Sequence, residues 1–198
     1  MRVYRIPFST NVERVALALA YKGLSVDWVD VDPADRSPVR EISGQELVPV
    51  LVADDGEVVS DSTAILRWLE QRHPDQRLWP PEEAARAELD LFLDWFNRVW
   101  KRPPNLLADE PGRADEADLA VELRASLDLF EALLDGRDYL YGDFSAADCA
   151  AFPFLKYART RDPEDDELFH RILDEHQGAD SRPRLADWIV RVDARPRA

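Results

Sequence analysis

The chain has 198 residues, of which 45% are hydrophobic and 10% aromatic, enough to build the core of one large domain or two small ones. Its 25 basic and 40 acidic side chains give a formal charge of −15, which repels nucleic-acid phosphates and anionic lipids and disfavours both as partners. A single cysteine, Cys149, excludes an internal disulfide and a Cys-x-x-Cys redox pair. Because no apolar run approaches the roughly 20 residues of a membrane span, and no signal-peptide core follows the N-terminus, the sequence predicts a soluble, cytoplasmic protein.

The first part of the chain alternates between strand and helix patterns. A short extended segment precedes an amphipathic helix that should stop at Lys22-Gly23, because glycine tolerates the left-handed cap. A second strand, an irregular or short helix, a hairpin around Asp54-Asp55-Gly56 and a second clear helix follow. The predicted order is βαβαββα, with strands near residues 3–6, 26–29, 48–52 and 57–60, and clear helices near residues 10–22 and 62–72.

The composition changes after the second helix. Pro74, Pro80 and Pro81 form a stiff connection that no helix crosses undistorted. Beyond it, apolar residues recur at helical spacing almost to the end of the chain, and Ser145-x-x-Asp148 forms a capping box ahead of a helix that is apolar nearly all round. We therefore predict an α/β domain over residues 1–76, a linker over 77–83 and an all-helical domain over 84–198.

Metal and phosphate sites are not indicated. The three histidines, His73, His170 and His176, are scattered and lack cysteine or carboxylate partners at metal-ligand spacing. The seven glycines form neither a P-loop nor a dinucleotide-binding pattern. We predict no metal.

The turn between the first strand and the first helix carries three consecutive hydrogen-bonding side chains, Ser9, Thr10 and Asn11. They face the free N–H groups and the positive end of the helix. Thr10 and Glu13 match a capping box, so we expect Thr10 to cap the helix and Ser9 to point elsewhere.

Two further features lie in the same half. Pro49 cannot donate to a sheet and must open a strand or lie at an edge. An ordinary trans proline satisfies that requirement, whereas a cis Val48–Pro49 bond would let the backbone of Val48 pair with an extended peptide. Asp61 and Ser62 open the second clear helix; alone they are a helix cap, and together they suit the ammonium and carboxylate of an amino acid.

These features, in this order and ahead of a helical half, resemble the glutathione S-transferase family over essentially the whole chain. The turn at Ser9 is similar to that of the serine-type classes, Val48-Pro49 to the family's cis-proline loop and Asp61-Ser62 to its glutamyl-binding pair. Two segments of the second half resemble the family's helix-capping signature and its last helix: Leu140-Tyr141-Gly142-Asp143-Phe144-Ser145-Ala146-Ala147-Asp148 and Arg182-Pro183-Arg184-Leu185-Ala186-Asp187-Trp188. The resemblance implies a thioredoxin-like N-terminal domain joined to an all-α C-terminal domain.

The resemblance also implies a reaction, in which Ser9 donates a hydrogen bond to the thiolate of glutathione, with Tyr4, Thr10 and Asn11 as alternatives. A free thiol has a pKa of about 8.5, and lowering it by about two units requires about 2.7 kcal/mol. One hydrogen bond to a charged sulfur contributes about 1.5–3 kcal/mol and a helix end about 0.3–1 kcal/mol, so the magnitudes suffice.

The remaining roles follow from the same resemblance. Val48 and Pro49 would hold the cysteinyl backbone, and Asp61 and Ser62 the glutamyl head. Candidates for the glycyl carboxylate are Gln45 and Arg40, and Phe8 and Trp100 are assigned to a hydrophobic substrate pocket.

The implied protein is a homodimeric glutathione transferase that attacks a small hydrophobic electrophile, with glutathione as co-substrate. Two alternatives stay open at this point. One is a glutathione-dependent isomerase that returns the thiol unchanged, and the other is a non-catalytic interaction module with the same fold.

Overall fold

Four short strands form one mixed sheet in a computed structural model that describes residues 1–198. The sheet order is β2-β1-β3-β4; β1 runs parallel to β2 and antiparallel to β3, and β4 is antiparallel to β3. The strands are β1 (Arg2–Arg5), β2 (Asp27–Asp30), β3 (Val50–Val52) and β4 (Val58–Ser60). Gly56, at φ 90°, makes the turn between β3 and β4, as the sequence predicts.

Three helices accompany the sheet: α1 (Thr10–Tyr21), α2 (Ser37–Ser43) and α3 (Ser62–Arg72). The predicted order βαβαββα is confirmed. Val39 of α2 packs into an apolar cluster with Tyr4 and Val50. Because side chains alternate along a strand, Val3 and Leu51 point to the opposite face of the sheet. Helices α1 and α3 pack against each other.

Lys22 joins the ends of α1 and α3. As predicted, α1 stops here, with Gly23 at φ 67°. The buried ammonium donates three hydrogen bonds, to Glu70 Oε2 at 2.9 Å, His73 O at 2.8 Å and Gln76 O at 2.6 Å. All three of its donors are therefore satisfied, which is the condition under which a buried lysine stabilises rather than strains a fold.

The second half of the chain is helical. Its helices are α4 (Glu83–Trp95), which continues as a π-helical turn (Phe96–Trp100), α5 (Arg102–Asp109), α6 (Glu116–Leu133), α7 (Ala146–Leu155), which ends in a 3₁₀ turn (Lys156–Ala158), α8 (Leu168–His176) and α9 (Pro183–Asp193). A break separates α5 from the π-helical turn that follows α4. Pro103 and Pro104 explain the break, because proline is tolerated in the first turn of a helix and not in its interior. None of these helices is long and apolar enough to cross a membrane.

The predicted capping box at Ser145 and Asp148 is confirmed. Asp148 is fully buried and accepts hydrogen bonds from Leu140 N, Ser145 N and Trp188 Nε1, at distances of 2.8–3.0 Å. It thereby ties the loop before α7, the start of α7 and the middle of α9 to one carboxylate.

The chain divides into two units: residues 80–194, and residues 1–79 together with 195–198. The predicted helical domain, 84–198, includes residues 195–198, which the structure places with the first unit. In the structure Ala198 N donates to Ala16 O at 3.2 Å and Trp28 Nε1 donates to Ala198 O at 3.0 Å. These bonds to α1 and β2 account for the difference.

Candidate active site

Three loops that the sequence singles out emerge at the same end of the sheet. Tyr4 of β1 pairs with Val50 of β3, and Val50 pairs with Ser60 of β4, so these residues form one row across the sheet. β1 ends one residue beyond this row, β4 ends in it and β3 begins in it. Three segments therefore leave the sheet at the same end of its strands: the turn that contains Ser9, the segment before β3 and the start of α3 at Asp61.

Ser9 caps α1. Its Oγ accepts a hydrogen bond from Val12 N at 3.4 Å. The expectation that Thr10 caps the helix is wrong: Thr10 is already the first helical residue and is buried, because the helix starts one residue earlier than the capping-box pattern implies. Since Ser9 uses its hydroxyl oxygen only as an acceptor here, the O–H proton stays available to a ligand at the helix end.

Two residues at this end of the sheet have unusual backbone angles. Phe8, at φ 60°, and Asp61, at φ 78°, are the non-glycine residues of the chain with positive φ. L-residues rarely adopt such angles, which cost on the order of 1–3 kcal/mol and cluster at functional sites. Phe8 precedes the cap of α1, and Asp61 caps α3, so both strained positions belong to the same end of the sheet.

Asp61 holds the start of α3 with one of its two oxygens. Oδ1 accepts hydrogen bonds from Thr63 N at 2.9 Å and Ala64 N at 3.0 Å. The side chain is exposed and forms no ion pair within the chain, so Oδ2 is open to a cation. An ammonium group is the ligand that this oxygen suits best.

A buried polar cluster joins the starts of α1 and α3. Ser62 is 3% exposed; its Oγ accepts from Arg14 Nη1 at 3.3 Å and donates to Asn11 Oδ1 at 3.4 Å. Arg14, only 1% exposed, places a fixed positive charge behind both helix starts. Arg14 is not among the predicted site residues; the available signal is a cation next to the apolar run of residues 15–20.

The segment before β3 contains a cis Val48–Pro49 peptide bond, as the family resemblance implies. Pro49 is buried and Val48 is half-buried. Neither the N–H nor the C=O of Val48 pairs with another backbone group, since ladder pairing begins at Val50. This segment can therefore pair with an extended peptide.

The two candidates for the glycyl carboxylate are engaged within the chain. Gln45 Nε2 donates to Ser43 Oγ at 3.0 Å and Leu47 O at 2.9 Å, and its Oε1 accepts from Leu47 N. Arg40 is exposed and paired with Glu46. A carboxylate ligand would compete with Glu46 for Arg40, whereas Gln45 shapes the loop ahead of Val48.

The other predicted residues lie in different surroundings. Tyr4 is 6% exposed, in the apolar cluster beside α2. Phe8 is 39% exposed. Trp100, in the helical unit, is 3% exposed, stacks on Phe96 at 4.5 Å and donates its indole N–H to Ser126 Oγ at 2.8 Å.

A cleft of about 490 Å³ opens beside Ser9 within the first unit. Phe8, Val12 and Trp28 provide apolar walls, and Glu13 and Arg197 lie among its charged residues. Phe8 and Ser9 both line this cleft, whereas Val48, Asp61 and Ser62 do not.

The histidines do not gather around a metal. His170 is buried, with its Nδ1 2.9 Å from Asp165 Oδ1 and its ring stacked on Tyr157 at 4.8 Å. No group of three or more His, Cys, Asp or Glu side chains is arranged to hold a metal ion.

The sheet order, the cis proline ahead of β3 and the helical second half define a thioredoxin-like domain followed by an all-α domain. The family model of the glutathione S-transferase N-terminal domain matches residues 3–77, and that of the C-terminal domain matches residues 116–191. Glutathione S-transferase 3 of Zea mays is 30% identical to this chain, over 99% of the chain and 90% of the relative. The chain belongs to the glutathione S-transferase family, whose enzymes use glutathione as co-substrate.

Two further matches are a solved structure and a protein named for a different reaction. A solved glutathione S-transferase from Rhodospirillum rubrum F11 superposes with a TM-score of 0.79 at 25% identity, over 98% of this chain and 88% of that one. A probable maleylacetoacetate isomerase of Caenorhabditis elegans is 38% identical over 77 residues, which cover 37% of this chain and 36% of that protein.

Proposed function

We propose that the protein conjugates the thiolate of glutathione to a small hydrophobic electrophile, with Ser9 as the residue that stabilises the thiolate. The observation that carries this proposal is the cap of α1, where the Ser9 hydroxyl keeps its proton for a ligand while its oxygen accepts from Val12 N. A sulfur there also meets the positive end of α1, backed by the buried Arg14.

The neighbouring loops give the tripeptide three anchors. Val48 pairs with the cysteinyl backbone, as an added strand does at a sheet edge. Asp61 Oδ2 receives the glutamyl ammonium, while the glutamyl carboxylate lies at the start of α3 near Ser62. Arg40 and Gln45 are the candidates for the glycyl carboxylate.

Stabilising the glutathione thiolate is the main contribution of the protein to the chemical step. The thiol proton passes to solvent as glutathione binds. The sulfur lone pair then attacks an electrophilic carbon and a C–S bond forms. A halide leaves as the anion, or an epoxide C–O bond opens and its oxygen takes a proton from water. Phe8, the exposed aromatic residue beside Ser9, offers the apolar partner a surface.

The experiment is a conjugation assay with glutathione and a panel of aryl halides and epoxides, with the adduct identified by mass. We expect adduct formation well above the uncatalysed rate for at least one electrophile. No adduct from any of them, together with no heat on titration of the protein with glutathione, would contradict the proposal.

A glutathione-dependent isomerase is the second candidate, favoured by the 38% identity over 77 residues to the probable maleylacetoacetate isomerase. In that reaction the thiolate adds to a cis-alkene, the adduct rotates about the resulting single bond, and elimination returns the thiolate. A maleyl compound distinguishes the two activities, because isomerisation leaves the glutathione concentration unchanged and conjugation consumes it.

We infer that the protein acts as a cytoplasmic homodimer. Leu47 and Leu91 are 70% and 71% exposed, and Val99 is 50% exposed, which leaves apolar surface for a second copy on both units. Sedimentation equilibrium should give twice the chain mass of 22.7 kDa; a monomer at micromolar concentration would contradict this inference.

A further inference from the structure

A carboxylate lies one helical turn beyond the Ser9 cap of α1. It belongs to Glu13, whose backbone N donates to Ser9 O at 3.0 Å. Both residues line the cleft of about 490 Å³.

That placement opposes the proposed chemistry. A negative charge one helical turn from Ser9 repels a thiolate and weakens the effect of the positive helix end. The repulsion is screened only in part, because the Glu13 side chain is 16% exposed. A site that stabilises a thiolate at Ser9 therefore needs this carboxylate neutralised.

Arg197 meets the requirement. Its Nη2 and Nε lie 2.9 Å and 3.3 Å from Glu13 Oε1, and the Arg197 side chain is 25% exposed. The segment that carries it is held by two hydrogen bonds to Ala198: the backbone N of Ala198 donates to Ala16 O, and Trp28 Nε1 donates to Ala198 O. The guanidinium is thus placed by the fold of the first unit and not by the ion pair alone.

Two other cations lie at or behind the cleft. Arg5 Nε lies 2.6 Å from Asp30 Oδ1, and the Arg5 guanidinium lies over the Trp28 ring at 5.1 Å. Arg14, buried behind the first turn of α1, donates to the neutral hydroxyl of Ser62. Glu13 is the acidic residue of the first turn of α1, and Arg197 is its ion-pair partner.

We propose that Arg197 is a positioning residue for the thiol chemistry, which neutralises Glu13 and keeps the first turn of α1 electropositive toward a thiolate at Ser9. This inference rests on the proposed function. It assigns a role in the reaction to a residue 188 positions from Ser9 in the sequence, brought beside α1 by the segment 195–198.

The test is a charge cycle with Arg197→Gln, Glu13→Gln and the double variant, which keep similar side-chain sizes. The readout is the pH at which glutathione bound to each protein forms a thiolate, followed by ultraviolet absorbance. We expect Arg197→Gln to raise the apparent pKa of the bound thiol by about 0.5–1 unit. The double variant should return to the wild-type value, because the uncompensated carboxylate is then absent.

Two controls separate charge from structure. Arg197→Lys restores the positive charge and should recover most of the shift. Arg195→Gln removes the same charge from the same segment, but its guanidinium lies over the Tyr21 ring at 5.7 Å and does not line the cleft, so it should leave the titration unchanged.

An unshifted titration in Arg197→Gln would overturn the inference, as would a double variant that keeps the full shift of Arg197→Gln, since either outcome leaves only a structural role. The proposed function is contradicted by a different result from the one that contradicts the role of Arg197. If wild-type protein binds glutathione without forming a thiolate below the pH of the free thiol, the function is contradicted. If the thiolate forms in a Ser9-dependent way and Arg197→Gln has no effect, only the role of Arg197 is lost.

Discussion

Two helix caps in this protein use the same residue type with different outcomes. Ser145, at the start of α7, is 5% exposed; its Oγ accepts from Ala147 N at 3.3 Å and donates to Asp148 Oδ2 at 3.0 Å. Ser9, at the start of α1, is half-buried and accepts from Val12 N at 3.4 Å, with no acceptor in the chain for its proton. The Ser145 hydroxyl both donates and accepts within the chain, whereas the Ser9 hydroxyl only accepts and its proton can still be donated to a ligand.

The difference teaches how a fold separates stability from reactivity. The cap of α7 joins three parts of the helical unit through the buried Asp148 carboxylate, whose two oxygens are already hydrogen-bonded within the chain. The caps of α1 and α3 each keep one group unused, the Ser9 proton and Asp61 Oδ2. Substitutions in the cap of α7 should therefore change stability, and substitutions in the caps of α1 and α3 should change function.

The largest effect is expected for Asp148→Ala. It leaves the donors of Leu140, Ser145 and Trp188 buried without their acceptor, which should lower the free energy of unfolding by about 3–5 kcal/mol. Chemical denaturation measures the loss. A change of less than about 1 kcal/mol would show that the closed cap is not a main source of stability.

The same position gives a pH dependence. Burial raises the pKa of Asp148, against the opposing hydrogen bonds from Leu140, Trp188 and Ser145. When the pKa of a carboxyl is higher in the folded than in the unfolded state, the free energy of unfolding of the protein falls as pH rises through the folded pKa. The stability of the wild-type protein relative to Asp148→Asn should therefore fall over that range. A difference that does not vary with pH would contradict the raised pKa.

Ser9→Ala should come next. Turnover with a saturating electrophile should fall about 10- to 100-fold, equal to about 1.4–2.7 kcal/mol, with glutathione affinity nearly unchanged. Ser145→Ala is the matched control, because it removes the same hydroxyl from a closed cap. It should cost about 1 kcal/mol of stability and leave the turnover of the folded protein unaltered. Equal turnover in both variants would remove Ser9 from the reaction.

Asp61→Asn should have a smaller effect, on binding alone. The amide oxygen can still accept from Thr63 and Ala64, so α3 keeps its cap, while the charge that meets an ammonium is lost. We expect about tenfold weaker glutathione binding by calorimetry, or about 1.4 kcal/mol, and an almost unchanged melting temperature. Unaltered affinity would exclude Asp61 from the glutamyl site.

Tyr4→Phe is expected to change least. Its ring packs among Ile6, Val39 and Val50 beside α2. Removal of the hydroxyl should alter turnover by less than about twofold, within the usual range of a substitution remote from the reaction. A loss comparable to that of Ser9→Ala would transfer the donor role to Tyr4.

Local patterns in the sequence predict most of this architecture. The Asp54-Asp55-Gly56 turn, the stop at Lys22-Gly23 and the capping box at Ser145 all depend on residues close together in the chain, and the structure contains each of them. The cis proline is different, because rarity alone argues against it and only the family resemblance implied it.

Long-range partnerships could not be predicted in this way. Arg14 bonds to Ser62, Lys22 to Glu70, and Arg197 to Glu13 across 184 positions. Each pair depends on how helices pack and on where the chain returns, which neither periodicity nor spacing encodes. The choice between Ser9 and Thr10 as the cap failed for a smaller reason, since it depended on one residue at a helix boundary.

The central claim is that the open cap of α1 lowers the pKa of a bound thiol, and ultraviolet titration of glutathione on the wild-type protein and on Ser9→Ala tests it most directly. The wild-type complex should form thiolate at least about one unit below the free-thiol value of about 8.5, and Ser9→Ala should move the transition back toward that value. Identical transitions in the two complexes, or a wild-type transition at the free-thiol value, would contradict the account.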